Sequence, residues 1–373
     1  MSTQTETKAA GPAPVTGARG GRGMPWREIG ILAIFALIVF TLPFWLTVIG
    51  GYQALATKIV IWAIFALGFD ILLGFTGYLS FGHAAFFGVA AYTTGLMFKH
   101  VSGDIIPAML VSFAVILVLA VVLGVLVLRR AGIYFAILTL AFAQMLHAAA
   151  LSIFQGWTGG DNGLTMSVQP SLLGLPMVDL NVFYVTAVLA VVMFAVARQI
   201  KRSSFGLMLR AIKENPMRLQ YTGINVWRYK MMAFCISALY AGLAGSLMVV
   251  YEPYVATKFL HWSTSGEVVI MSVIGGVNTL LGPMIGAGFI MYFENVVQAF
   301  IGEKWKLILG IVFVLIVVFL PGGFVDGFNR LRRMVGIKVG PRRPNVPDSP
   351  QAMSRYHDSK NSPSTRTTPT DET

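Results

Sequence analysis

The sequence is short of charge, of cysteine and of the common catalytic signatures. Only 12% of its 373 residues are charged and 56% are hydrophobic, whereas roughly a quarter of a soluble domain is charged. Too little polar surface is available to cover a water-facing core, so lipid is the expected solvent. The single cysteine, Cys235, excludes an internal disulfide, and its apolar neighbours mark it as a small buried hydrophobe. No G-x-x-x-x-G-K-[ST] run is present, so the backbone cradle that holds nucleotide phosphates is missing. H-E-x-x-H and Ser/His/Asp or Cys/His sets on a plausible scaffold are missing as well, and no second ligand lies at metal spacing from His83. An enzyme is therefore not expected, nor a metal or cofactor of the chain's own, and any work it does must draw energy from elsewhere.

Long apolar runs are what the chain has instead. A hydrocarbon core of roughly 30 Å needs about 20 helical residues per crossing. Spans are expected at 30–49, 53–73, 82–98, 105–128, 132–154, 180–198, 231–250, 267–282, 284–301 and 306–321. The predicted fold is an all-α integral membrane protein of about ten transmembrane helices, its weakest span interrupted by Gly275-Gly276. Residues 1–29 read as a disordered N-terminal tail, and 326–373 as a basic, then Pro/Ser/Thr-rich tail. Placing the N-terminus inside puts 23 of the 28 Lys and Arg residues in cytoplasmic segments. Both termini are then cytoplasmic, and 155–180 is an outer loop. The formal charge of +12 is thus a topology signal, with bilayer headgroups and not nucleic acid as its partner. Trp26, Trp45, Trp62 and Trp305 are expected as interfacial anchors. Gly82, Gly88 and Tyr92 recur as Gly282, Gly288 and Tyr292, a weak sign of two internal repeats.

Three segments carry chemistry. In Asp70–Tyr92, Gly74, Gly77 and Gly82 frame Thr76, Ser80 and His83 between two apolar runs. This reads either as a helix break lining a translocation path, or as a cytoplasmic turn leading into a Gly/Ala-rich packing helix. In Arg198–Lys230, Ser203 or Ser204 can cap a helix reaching about Asn215, Pro216 suits the first position of a second helix, and Gly223 suits its stop. Phe205, Leu209 and Ile212 share a face of the first helix, with Arg210, Lys213 and Glu214 expected in water. Such a helix either docks in a groove of a soluble partner or lies on anionic lipid. In the outer stretch Gln155–Asn162, Asp161 can accept from a substrate ammonium, while Gly159, Gly160, Asp161 and Asn162 also read simply as a turn. Asp70, close to the inner end of its span where it could pair or cap, and Glu294, the deepest carboxylate, are the ionisable groups that could belong to a polar pathway.

The run Gly74 to Gly88, G-x-x-G-x-x-S-x-G-H-A-A-F-F-G, resembles the permeases of branched-chain amino acid ABC importers, and more closely the larger of the two paired permeases. Further stretches fit in the same order: 132–145, 158–164, Ser204-Phe205-Gly206 with Ala211-Ile212, 233–245, and Gly275-Gly276 with Leu281-Gly282-Pro283. The resemblance covers roughly residues 50–325 and makes 30–325 the permease domain. It implies a bacterial inner-membrane protein forming half of a heterodimeric pore with a homologous second permease. Two ATP-binding subunits would bind the ATP, and a periplasmic or extracellular substrate-binding protein would deliver substrate. The 198–230 loop would be the coupling element, carried by Ser204, Phe205, Gly206, Arg210, Ala211, Ile212, Lys213, Glu214 and Gly223. Relatives that move urea, amides or aromatic acids share these signatures. A proton-coupled secondary transporter using Asp70 or Glu294 is the other reading.

Overall fold

A helix that is apolar all round has no face to offer water, so it must be enclosed by protein or lipid. The computed structural model, which describes residues 26–327 apart from Ile49, Ser167 and Pro321, separates the two cases. Its helices are α1 Trp26–Val48, α2 Gln53–Thr76, α3 His83–His100, α4 Ile105–Val127, α5 Ile133–Leu151, α6 Gln155–Thr158, α7 Asp179–Arg202, α8 Ser204–Glu214, α9 Pro216–Tyr221, α10 Val226–Tyr251, α11 Trp262–Gly275, α12 Leu281–Ile301 and α13 Trp305–Phe319. Helices α2 and α10 are almost entirely enclosed by protein, whereas α4 turns Leu110, Val118 and Val122 outward.

Nine of the ten expected spans lie mainly on one helix each, whereas 267–282 runs through the end of α11 at Gly275 and the turn before α12 at Leu281. Among the described residues, seven helices are long and apolar enough to cross a membrane: α1, α2, α4, α5, α7, α10 and α12. Helix α3 is diluted by Gly, Ala and Thr, and α11 and α13 have only 14 and 15 residues. Helix α1 begins at Trp26, inside the stretch assigned to the N-terminal tail. The rest of that tail, and 328–373 of the other, lie outside the described residues. Two of the four tryptophans are not interfacial: Trp62 and Trp305 are buried, and the Trp62 ring packs against those of Phe65 and Phe87. Trp26 and Trp45 are exposed, as expected.

The centre of the bundle is α2, α3 and α10, whose small residues let backbones approach. A Cβ on Gly245 of α10 would strike the Phe87 carbonyl of α3. Hydroxyls tie the helices together where the approach is close. Thr94 donates to Ser246 at 2.9 Å, and Ser246 donates to Ser112 of α4 at 3.0 Å. Tyr240 of α10 donates to the Met193 carbonyl of α7 at 2.8 Å.

After α10 the chain does not cross over the bundle but descends alongside α3. Val255 lies against Gly95, Leu260 against Gly88, and Ser265 against Ala84. Eleven residues of α3 separate the first and last of these levels, about 16 Å of helix at 1.5 Å per residue. Helix α11 therefore starts well inside the bundle, which explains its shortness. The descending segment is anchored by an antiparallel pair, Leu164–Thr165 with Tyr254–Val255.

Candidate functional site

The start of α3 is also inside the bundle. His83 Nε2 lies 2.8 Å from Ser237 Oγ, and the Ser237 hydroxyl donates to the Gly68 carbonyl at 2.6 Å. With the serine proton so placed, the neutral ring must carry its own proton on Nε2 and donate it to Ser237. Gly68 precedes the end of α2 by eight residues, about 12 Å. Residues 77–82 thus fold back along α2 before α3 begins. Gly77, at φ +77°, makes the reversal after Thr76 closes α2 on the Leu72 carbonyl at 2.6 Å.

Backbone exposed by such a break must be satisfied by protein. Phe81 N–H donates to Thr139 Oγ1 (3.1 Å), Gly82 N–H to Ser80 Oγ (3.2 Å), Ala84 N–H to Ser265 Oγ (2.7 Å) and Ala85 N–H to the Gly82 carbonyl (3.0 Å). The segment turns at Gly77 and leads into a tightly packed Gly/Ala-rich helix, Gly82 lying against Thr139 and Gly88 against Leu260. Thr76, Ser80 and His83 are buried in this chain and hold the turn in place instead of facing an open surface. The edges of Phe69, Phe86 and Phe234 surround the His83 ring. Ser237→Ala should leave the imidazole N–H without a partner and lower stability by about 1–3 kcal/mol. Thermal unfolding of the purified chain checks this; an unchanged midpoint would dissolve the His83–Ser237–Gly68 link.

Two residues on from Gly68, toward the same end of α2, Asp70 is fully buried and clasps the α11–α12 turn. Its Oδ1 accepts the Asn278 N–H at 2.7 Å and its Oδ2 accepts the Leu280 N–H at 3.4 Å. Asn278 and Leu280 both have positive φ, +70° and +62°. Lys201, near the end of α7, donates to the Asn278 carbonyl at 2.8 Å. Lys213 of α8 donates to the Gly74 carbonyl at 2.9 Å, and Lys230 to the Tyr78 hydroxyl at 2.5 Å. Helix α8 is thereby tied to the end of α2, and α7 to the α11–α12 turn. Lys201, Asn278, Leu280 and Lys230 were not singled out by the sequence, since each partner lies 77 or more residues away.

The short helix pair forms as its capping signals require. Ser203, not Ser204, caps α8, its Oγ accepting from Gly206 N–H at 3.2 Å. Asn215 caps α9 with Pro216 in its first turn, and Gly223 follows at φ +81°. Leu209 and Ile212 are buried, and Phe205 stacks on Tyr229. Arg210 and Lys213 do not simply stay in water. Arg210 donates to the Gly206 and Lys201 carbonyls (3.3 and 3.2 Å), and Lys213 reaches α2. Ala211 is half-buried and Glu214 exposed. Facing outward are three apolar side chains, Leu207, Met217 and Tyr221.

At the other end of the bundle, the turn carrying Gly159, Gly160, Asp161 and Asn162 packs on the descending segment. Thr257 donates to the Gly160 carbonyl at 3.1 Å and Tyr254 to that of Asn162 at 3.2 Å. Gly160 is buried, whereas Asp161 and Asn162 are exposed. Beside them two half-buried histidines meet, His147 of α5 and His261 at the start of α11, with ring centres 5.1 Å apart. His261 Nδ1 accepts from Ser263 N–H at 3.3 Å. Asp161 lies within electrostatic reach of His147. No local pattern marks this pair, because only the descending segment brings residue 261 to α5. Glu294 of α12 sits near Glu267 of α11, which pairs with Lys258 at 3.9 Å. Among the described residues, no group of three or more His, Cys, Asp or Glu is placed to hold a metal ion.

Apolar helices, two segments entering the bundle, and a short amphipathic helix pair at the basic end describe a multi-pass membrane protein. The chain belongs to the family of branched-chain amino acid transport system / permease components, whose model matches residues 51–318. It is 26% identical over 318 residues to the high-affinity branched-chain amino acid transport system permease protein LivM of Salmonella typhimurium, covering 79% of this chain and 74% of that one. The LivH permease of the same organism is 22% identical over 289 residues (71% of this chain, 91% of LivH). The guanosine ABC transporter permease NupQ of Bacillus subtilis is 32% identical over 102 residues, 26% of this chain and 31% of NupQ. No solved structure matches the chain.

Proposed function

We propose that this chain is one of two homologous permeases forming the pore of an ATP-driven importer for branched-chain or related hydrophobic amino acids. The observation that carries the reading is the α8–α9 pair: clasped to α2 through Lys213 and to α7 through Arg210, it presents Leu207, Met217 and Tyr221 outward. Separate ATP-binding subunits would seat on that face and supply the energy for which the chain has no phosphate loop. A binding protein would deliver substrate at the Asp161 end. Ten crossings fit this arrangement, with α3 and α13 added to the seven long helices and α11 crossing together with the segment that descends to it. An even number returns both ends to the basic side, the cytoplasmic one by the positive-inside bias. The two repeats suggested by Gly82, Gly88 and Gly282, Gly288 would be halves that each start a helix after an inward turn.

Within this reading the path runs past Asp161, Asn162, His147 and His261. Exposed Asp161 and Asn162 and half-buried His147 and His261, at the outer end of the bundle, suit a watered path or a protein contact and not lipid. Asp70, Thr76, Ser80, Gly82 and His83 stand behind that path as its support, and Glu294 beside it.

Uptake in reconstituted vesicles tests the proposal, with the chain expressed alongside its partner permease and ATP-binding subunits. Leucine or valine uptake should require ATP and the binding protein and persist in the presence of an uncoupler. Uptake by this chain alone on a proton gradient would replace the reading with a secondary transporter. ATP-driven uptake of an amide or aromatic acid, but of no amino acid, would leave the importer and overturn the cargo.

A further inference from the structure

Four cations converge on one cleft at the basic end of the molecule. Arg198, Lys201 and Arg202 come from the last turns of α7 and Arg210 from α8, and they line a cleft of about 540 Å³ whose apolar wall includes Ile31 of α1 and Phe194 of α7. The positive charge there is only partly answered. Glu28 of α1 takes Arg198 at 2.5 Å and Arg202 at 2.9 Å. Lys201 and Arg210 donate to backbone carbonyls, which carry no net charge, and Lys201 also has a carboxylate, buried Asp70, within electrostatic reach. A guanidinium has five N–H donors and an ammonium three. Arg210 uses two of its donors on carbonyls and Lys201 uses one, so donors remain free on both.

The surroundings of the cleft say what kind of anion fits. On α1, Ile31 lines the cleft, and beyond it Ile34, Leu37 and Ile38 are exposed further along the helix, away from the basic end. On the far side Leu281 lines the cleft and Ile285 follows it along α12, both exposed. A site with cations at the end of the bundle and apolar faces continuing along two membrane helices suits a molecule with an anionic head and apolar tails. Basic pockets between helices at the membrane surface hold acidic headgroups by this chemistry.

We propose that this cleft is a binding site for one acidic phospholipid of the surrounding bilayer. Its phosphate sits among Arg198, Lys201, Arg202 and Arg210, and its acyl chains lie along α1 and α12. The site joins α1, α7, α8 and the start of α12. An occupied site therefore holds α8 against α7 and braces the turn that Lys201 grips. Binding stands independently of the importer reading, while any effect of the lipid on coupling rests on it.

The test uses the full-length chain in neutral detergent, with lipid retention measured by native mass spectrometry. Phosphatidylglycerol and phosphatidylcholine of matched chains are the probes. Wild type should retain phosphatidylglycerol in preference. Arg198→Gln with Arg202→Gln should weaken it roughly thirty-fold, since each basic residue near a membrane surface contributes about 1 kcal/mol. Glu28→Gln should tighten it, because two guanidinium groups are released from a competing carboxylate; damage to the fold would not produce that gain. Equal retention of the two lipids, or no change in either variant, overturns the proposal. Displacement by millimolar inorganic phosphate would reassign the cleft to a free anion. Loss of lipid on adding the ATP-binding subunits would reassign it to a protein contact.

Discussion

Leu207→Asp is expected to abolish ATP-driven uptake while leaving the chain inserted and folded. Leu207 is 59% exposed on α8 and takes no part in seating the helix, which depends on buried Leu209 and Ile212 and on Lys213. Under the proposed function it is an apolar knob for the groove of an ATP-binding subunit. Placing a carboxylate in a desolvated groove strands a charge without a partner. A loss of roughly 3 kcal/mol or more at such a contact is about a hundred-fold in affinity. Both uptake and co-purification of the ATP-binding subunits should fall together. Gly206 is a poorer place to probe docking: a Cβ there would run into the Ile200 carbonyl, so any substitution distorts the α7–α8 turn before it touches a partner. Normal uptake by Leu207→Asp would remove α8 from the coupling surface.

The sequence made the helices legible because lipid imposes a simple requirement on length and apolarity. Nine of the ten expected stretches lie mainly on a helix each, and outside them Pro216 opens α9 and Gly223 follows the pair as its capping signals predicted. Depth was much less legible. Hydropathy does not say where along a neighbour a short helix begins, so α11 read as a weak span when it is the inner part of a descending segment. Trp62 failed as an anchor for a related reason, since position in a span does not reveal that α3 covers its ring. For the site, sequence patterns marked the residues of the helix break but not their direction. Thr76, Ser80 and His83 point into this chain, and the outward-facing polar pair, His147 with His261, is joined by a contact across 114 residues. Pairings over such separations depend on the fold and leave no local trace.

Removing the Asp70 carboxylate should do the most damage of any single change near the basic end. Its two bonds to backbone N–H groups are charge-assisted, worth about 1.5–3 kcal/mol each at good geometry, and the 3.4 Å bond to Leu280 is the weaker. They also hold two non-glycine residues at positive φ, and a bulky residue such as Leu280 resists that conformation by roughly 1–2 kcal/mol. Asp70→Ala therefore removes the clasp and lets the turn relax out of its left-handed geometry, with an expected loss of about 3 kcal/mol. The turn would then release the Asn278 carbonyl from Lys201, and α7 from α12. Uptake should collapse along with stability. Asp70→Asn keeps an acceptor for the 2.7 Å bond to Asn278 and should retain part of both. Thermal unfolding in detergent, read beside vesicle uptake, orders the three proteins as wild type, Asp70→Asn, then Asp70→Ala. A proton-coupling role for Asp70 would instead leave stability intact in Asp70→Asn and abolish uptake, so the two measurements separate a carboxylate that holds the turn from one that carries a proton.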